Sequence, residues 1–385
     1  MDPILQLLDG ILDDVRPHDA GQTAQYIPEL ATADPDRLAL ALVGPRGRVL
    51  SAGDDASEFS IQSVSKPFVL ALALQHLGRD EVLRHVGLEP SGEPFNAISL
   101  EPTTGRPANP LVNAGAIATT SLLPGDGIDG RTGTIVAGLS RFAGRSLWID
   151  ESVYRSESST GHRNRALGHL MRSYDIIAGD VDEALEVYFR QCSILVTVRD
   201  LAVMASTLAF GGTNPTTGER VVSERVARDV VSVMASCGMY DFSGEWLLRV
   251  GLPAKSGVSG GLLAVAPSQF GVGVFSPQLD AHGNSVRATA AIERLSRDFE
   301  MHLLESHAAI AEPAVRVERK VDETVVYLGG EFGLSGIERV LGVVAEVPAG
   351  ERVRVVATSL ARTHPSVLVV LRAQFEGSDR VRIEA

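Results

Sequence analysis

Hydrophobic positions along the chain change their period several times, and each change outlines an element. In MDPILQLLDGILDDVRP the apolar residues Ile4, Leu5, Leu8, Ile11, Leu12 and Val15 recur at helical spacing, which predicts an amphipathic surface helix. Residues 38–53, LALALVGPRGRVLSAG, read instead as two strands joined by a turn at Pro45, Arg46 and Gly47. From about 64 to 240 the pattern is mostly helical, interrupted by Gly- and Pro-rich loops such as EPTTGRPANP and AFGGTNPTTGER. Strand character returns over 251–278, GLPAKSGVSGGLLAVAPSQFGVGVFSPQ, where runs of Val, Leu and Phe broken by Gly and Pro predict an antiparallel meander. In SVRATAAIERLSRDFEMHLL, Ser285 is placed to cap a helix, and Ala288, Ile292, Leu295, Phe299 and Leu303 form one apolar stripe.

Strands on both sides of a long helical region predict one sheet assembled from distant segments, with a helical subdomain inserted. That is an α+β class rather than a doubly wound one. A boundary is expected near Pro313, in AAIAEPAVR, dividing residues 1–310 from a small α/β module over 313–385. The module reads as strand (TVVYLGGEF), helix (SGIERVLGVVAEV), strand (RVRVVATSL) and further apolar runs. It stops on RVRIEA, immediately after a strand, which raises the expectation that it is incomplete as given.

The 385 residues are 44% hydrophobic, yet no uninterrupted apolar run approaches the roughly 20 residues that a membrane span requires. The longest, FVLALAL, is expected to be a buried helix. The first residues are acidic where a signal peptide would be basic, so a cytoplasmic protein is expected. A net charge of −13 argues against a nucleic-acid partner, whose phosphates demand a basic face. The tail carries ten basic and ten acidic residues, so that excess belongs to residues 1–312. Cys192 and Cys237 cannot form a disulfide framework and lack metal-site spacing, and no H-E-x-x-H pair or aspartate-rich calcium loop is present. No metal is expected.

Of the 35 basic residues only Lys66, Lys255 and Lys320 are lysines. Arginine therefore serves wherever charge alone is needed, and a lysine marks a place for an amine that can lose its proton. Lys66 lies in FSIQSVSKPFVLALAL, three residues after Ser63, a spacing that puts both on one helical face. Ser65 stands beside the lysine, and neighbours at i and i+1 do not face each other. Pro67 marks the first turn of the helix, so Ser63 is expected at its positive end, where free N–H groups stabilise an oxyanion. Burial and the same dipole would lower the Lys66 pKa and make it a base.

Lys255 lies in AKSGVSGG, on a strand whose glycines let a substrate approach the backbone. S-x-x-K followed downstream by K-[ST]-G is the paired signature of serine acyl enzymes. GLPAKS also has the look of a phosphate loop, but Ala254 occupies the place where that loop needs glycine.

In order along the chain, QYIPELA, FSIQSVSKP, NPLVNAGAI, VYRSESSTGHRNRA, YFRQCSI, CGMYDFSGEW and GLPAKSGVSGG closely resemble the serine-dependent glutaminase family, itself similar in fold to the β-lactamases. The resemblance covers about residues 20–305. It implies a β-lactamase/transpeptidase-like antiparallel sheet with helices on both faces. It further implies hydrolysis of L-glutamine to L-glutamate and ammonia without a cofactor, by a homodimer or homotetramer.

Carried over by motif, the resemblance makes Ser63 the nucleophile on the γ-carboxamide carbon and Lys66 its base, with Tyr240 shuttling a proton to the departing ammonia. How Lys66 and Tyr240 divide the proton transfers stays open. The N–H groups of Ser63 and Val258 would form the oxyanion hole. Substrate recognition falls to Glu157, Asn164, Asn113, Tyr26 and Tyr188, with Gln62 beside the nucleophile. The physical case is strongest for Glu157, because the buried ammonium of an amino acid needs an opposite charge. Singly, each has an ordinary structural reading as a surface glutamate, a capping asparagine or a core tyrosine; the matched flanks favour the site.

The tail weakly resembles the STAS module of anti-sigma-factor antagonists. Two competing readings remain. One is a penicillin-recognising acylase, which shares the Ser63, Lys66 and Lys255 motifs; the other is a regulatory protein that only binds an amino acid.

Overall fold

The computed structural model describes residues 3–93, 97–177, 179–299, 301–304, 314–332, 334–363, 372, 375 and 377–384. It divides into two compact units, Met1–Leu304 and Glu305–Ala385. The boundary expected near Pro313 lies outside the described residues.

In the first unit, α1 (Pro3–Val15) and a single turn α2 (Pro28–Ala31) precede the hairpin β1 (Ala39–Val43) and β2 (Val49–Gly53). A short β3 (Phe59–Ser60) leads through a 3₁₀ turn, Gln62–Ser65, into α3 (Lys66–Leu77) and α4 (Arg79–His85). The helical region continues with α5 (Asn113–Ser121), α6 (Gly127–Ala143), α7 (Glu151–Thr160), α8 (His162–Arg172) and α9 (Val181–Cys192). Then come β4 (Leu195–Val196), α10 (Val198–Ala209), α11 (Glu224–Cys237), a 3₁₀ turn at Tyr240–Phe242 and α12 (Ser243–Arg249). The meander β5 (Ala254–Ser256), β6 (Gly261–Ala266) and β7 (Phe270–Phe275) is followed by α13 (Val286–Asp298).

The main sheet is antiparallel, in the order β2-β1-β7-β6-β5, so the early hairpin joins the late meander through β1 and β7. Strand side chains alternate between faces. Ala39, Ala41 and Val43 of β1 pack in one core with α3, α6, α10 and α11, whereas Leu40 with Val272 and Val274 of β7 faces α1, α12 and α13. A third core, with Ile117, Leu167, Met171, Leu185 and Phe189, belongs to α5, α8 and α9 and gives the inserted helices their own interior. The expected α+β arrangement is therefore present.

Helix α10 sits unusually close to β7. A Cβ on Gly271 would lie 2.1 Å from the Ser206 nitrogen, and one on Gly273 would lie 2.5 Å from the Val198 carbonyl. Only hydrogen fits at these positions. Thr197 and Asp200 close a reciprocal capping box at the start of α10, fixing the helix in that place.

Two expectations need correction. Ser285 caps α13 through the Ala288 N–H, but the helix ends at Asp298, leaving Phe299 and Leu303 49% and 44% exposed. The chain turns back there, Leu303 N–H donating to the Gly251 carbonyl, and Met301 takes the buried position instead. In α1, Leu8, Ile11, Leu12 and Val15 are buried, whereas Ile4 is exposed.

The second unit holds β8 (Ala314–Arg319), β9 (Glu323–Phe332), α14 (Leu334–Glu346), β10 (Arg352–Thr363) and β11 (Val381–Glu384), in the sheet order β11-β10-β9-β8. Strands β9, β10 and β11 run parallel and β8 antiparallel. Val326, Leu328, Val340, Val344, Val353 and Val355 form its core. The edge strand β8 was not expected from its short, charged sequence AVRVER.

Gly271→Ala is expected to destabilise the protein by about 3 kcal/mol, the upper end of overpacking costs, because the obstructing atoms belong to the helix backbone. Gly244→Ala in α12, where a Cβ meets nothing within 4 Å, is the control and should stabilise by up to about 1 kcal/mol. Urea midpoints of the two variants against the parent check both signs.

Candidate active site

The site is built around the turn that enters α3. Gln62 has φ 50°, a left-handed conformation rare for a residue with a side chain, and Ser63 follows it, buried. The expected α-helix begins only at Lys66, with Pro67 in its first turn, so Ser63 occupies a tighter 3₁₀ turn just before it. Glycine at 257 keeps the β5–β6 turn against this segment, since a Cβ there would lie 3.2 Å from the Ile61 carbonyl.

Lys66 is 1% exposed. Its Nζ donates to Asn113 Oδ1 at 2.7 Å and to the Leu111 carbonyl at 3.3 Å. Desolvation by burial holds its pKa down at about 8, partly offset by Cys192 and Glu157.

Tyr240 approaches from the other side. It too has a left-handed backbone, φ 58°, and its phenol both hydrogen-bonds with the Ser63 side chain and donates to the Ser256 carbonyl at 2.8 Å. Burial pushes the phenol pKa well above its ordinary value. Behind the ring lies Lys255 of β5, its Nζ 3.8 Å from the ring centroid and bonded to the Ser256 carbonyl at 2.6 Å. Burial, then the Lys66 charge, lowers the Lys255 pKa well below the usual lysine value.

The remaining polar groups arrive on the inserted helices. Asn113, the first residue of α5, accepts from Lys66, lies 3.5 Å from the Tyr188 hydroxyl of α9, and donates through Nδ2 to Asn164 Oδ1 of α8 at 2.9 Å. Glu157 of α7 is buried and hydrogen-bonded to the Gln62 side chain; burial raises its pKa to about 7. The three helices α7, α8 and α9 are tied at Glu186, which accepts from Tyr154 (2.6 Å), Ser158 (3.0 Å) and Arg165 (2.8 Å). Glu157, Asn164 and Tyr188 thereby hold a common frame.

These groups enclose a pocket of about 120 Å3, a size suited to one small metabolite. Tyr26, Gln62, Ser63, Asn113, Glu157, Asn164, Tyr188 and Val258 all line it, Tyr26 half exposed. Lys66 and Tyr240 stand immediately behind the lining, bonded to Asn113 and Ser63. All ten residues singled out from the sequence are thus brought together. Thr160, Gly161, Arg163 and Cys192 also line the pocket and were not foreseen. The signal was present, since the first three lie in VYRSESSTGHRNRA and Cys192 in YFRQCSI. Cys192 is a buried free thiol that forms part of the pocket wall. Among the described residues no cluster of three or more His, Cys, Asp or Glu could hold a metal ion.

The sequence model of the glutaminase family matches residues 21–304, which contain every residue of this site. The chain belongs to the serine-dependent glutaminase family. A glutaminase of Corynebacterium efficiens is 48% identical over 347 residues, covering 89% of this chain and 82% of that protein. The glutaminase of Corynebacterium glutamicum is 44% identical over 383 residues, covering 99% of this chain and 92% of its own. Among solved structures, the crystal structure of the protein named Mglu superposes with a TM-score of 0.88 at 44% identity, covering 100% of this chain and 98% of that one. A second structure of Mglu, described as its glutamate form, gives a TM-score of 0.87 at 40% identity over the same shares. The likeness to the glutaminases therefore extends across both units. No helix among the described residues is long and apolar enough to cross a membrane.

Because the native Lys66 pKa lies near 8, below that of a free lysine, the unfolded chain binds more protons through the interval above pH 8. The native state is penalised below pH 8 and recovers that stability as pH rises. The stability of Lys66→Met relative to the parent should accordingly be greater at pH 7 than at pH 9.5, by about 2 kcal/mol. Chemical denaturation at the two pH values reads this difference directly.

Proposed function

We propose that this pocket hydrolyses L-glutamine to L-glutamate and ammonia through a Ser63 acyl-enzyme. The observation that carries the reading is the Ser63 side chain, hydrogen-bonded to the Tyr240 phenol and three residues before Lys66, a fully buried amine whose pKa is held down at about 8.

A phenol pushed well above its ordinary pKa keeps its proton at neutral pH, whereas Lys66 near 8 is partly free to accept one. Lys66 is therefore the base and Tyr240 the group that relays protons at Ser63. As Ser63 Oγ bonds to the carbonyl carbon of the γ-carboxamide of glutamine, its proton passes to the Lys66 amine. Charge on the amide oxygen is met by the N–H groups of Ser63 and Val258, each such donor being worth roughly 3–4 kcal/mol in acyl-transfer enzymes. Collapse breaks the carbon–nitrogen bond, and the proton returns through Tyr240 to the leaving ammonia. Water, deprotonated by the same groups, then cleaves the ester and releases glutamate.

Glu157 supplies the anion for the substrate ammonium, while Asn113, Asn164, Tyr188, Tyr26 and Gln62 orient the rest of the amino acid. The glutamate form of the similar protein Mglu supports an amino-acid site in this family. The antiparallel sheet with helices on both faces supports a β-lactamase-like fold for residues 1–310. The β9-α14-β10 parallel crossover supports a STAS-like module over 313–385.

Ser63→Ala should release no ammonia from glutamine, and Lys66→Arg should fall by about a thousandfold although charge is retained, since a guanidinium cannot serve as base. In the parent, kcat/KM should rise with pH through about 8 as the neutral amine accumulates. Substantial activity in Lys66→Arg, or a flat profile through that region, contradicts the assignment.

Glu157→Gln should raise KM for glutamine by the equivalent of about 2 kcal/mol or more, because a desolvated ammonium loses its counter-charge. Steady-state kinetics against the parent at pH 7.5 measure it, and an unchanged KM removes Glu157 from substrate binding.

A further inference from the structure

Behind the Ser63 turn runs a buried chain of hydrogen bonds that the catalytic reading does not use. Thr120 Oγ1 donates to Gln191 Oε1 at 2.7 Å, Gln191 Nε2 donates to Ser65 Oγ at 2.9 Å, and Ser65 Oγ donates to the Gln62 carbonyl at 2.7 Å. Thr120 and Ser65 are 0% exposed and Gln191 1%. Every donor in the chain points the same way, an arrangement in which each bond polarises the next.

The chain ends on Gln62, the residue with φ 50° that turns the backbone into Ser63. Such a conformation persists in a residue with a side chain only where its surroundings hold it. Its two anchors share faces with the pocket helices. Thr120 lies seven residues after Asn113 on α5, and Gln191 lies three after Tyr188 on α9, so each is on the same helical face as its pocket residue.

We propose that Thr120, Gln191 and Ser65 are positioning residues for the reaction: their relay holds the left-handed Gln62 and so aims Ser63 into the pocket, in register with Asn113 and Tyr188. The inference rests on Ser63 being the nucleophile. It also explains why the second serine of S-V-S-K is not an alternative nucleophile, since the Ser65 proton is committed to Gln62 and Ser65 Oγ accepts from Gln191.

The test compares the full-length Gln191→Leu, Ser65→Ala, Thr120→Val and Thr120→Ser proteins, reading kcat, KM for glutamine, pH profile and thermal midpoint, with Ser63→Ala alongside. The first three variants should lose at least about tenfold in kcat with a smaller change in KM, while the rising limb near pH 8 stays in place because Lys66 is untouched. Thr120→Ser, which keeps the hydroxyl, should stay within about twofold of the parent. The relay is overturned if Gln191→Leu and Ser65→Ala match the parent in kcat, or if Thr120→Ser falls as far as Thr120→Val, which would indicate packing alone. Should either core variant fail to fold, the Thr120 pair still decides by that same comparison. An inactive Ser63→Ala beside a parental Gln191→Leu removes only the relay; an active Ser63→Ala removes the nucleophile and the relay with it.

Discussion

The structure depends on keeping one lysine amine out of water. Lys66 begins a helix that is buried along most of its length, and its Nζ is met by one carbonyl and one side-chain amide oxygen rather than by a carboxylate. A close ion pair would fasten the proton; neutral acceptors leave it exchangeable. The core that α3 shares with the sheet, α6, α10 and α11, and the core of α5, α8 and α9, pack about this segment and serve this end.

Strain and burial concentrate around that amine. Gln62 and Tyr240, two of only four non-glycine residues at positive φ among those described, flank Ser63. Each such residue costs of order 1–3 kcal/mol, which the packed surroundings must offset. A second buried lysine, Lys255, adds to the load. The mutual repulsion of two nearby ammonium groups, on top of desolvation, disfavours a charge on Lys255. The close approach of α10 to β7 and the capping box at Thr197 are examples of the tight packing elsewhere that can carry these local penalties.

Much of this was legible in the sequence because short-range rules governed it. The hairpin at 38–53 and the meander at 251–278 followed from alternation broken by turn residues, and the inserted helices from their period. The rarity of lysine pointed to Lys66 and Lys255 before any resemblance was considered, and the seven motifs then gathered all ten site residues. What failed depended on tertiary detail. The apolar stripe ending in Phe299 and Leu303 could not foretell that Met301 would fill the core after the chain reversed. Strand β8 is short and charged, and its antiparallel pairing with the adjacent strand β9 runs through the backbone, which its side chains do not announce. The left-handed Gln62 left no trace in composition, because glutamine carries no turn signal of its own. The place of Cys192 in the pocket wall was not legible, since burial and membership of a pocket wall look alike in one dimension.

Glu157 has a consequence of a different kind. A carboxyl whose vacant-site pKa is about 7 is close to half protonated at neutral pH, and an incoming ammonium would draw it to the ionised form. On the proposed reading, capture of the amino acid releases protons into the buffer. Acidification would then weaken capture, making the enzyme's saturation, and not only its turnover, a gauge of ambient acidity.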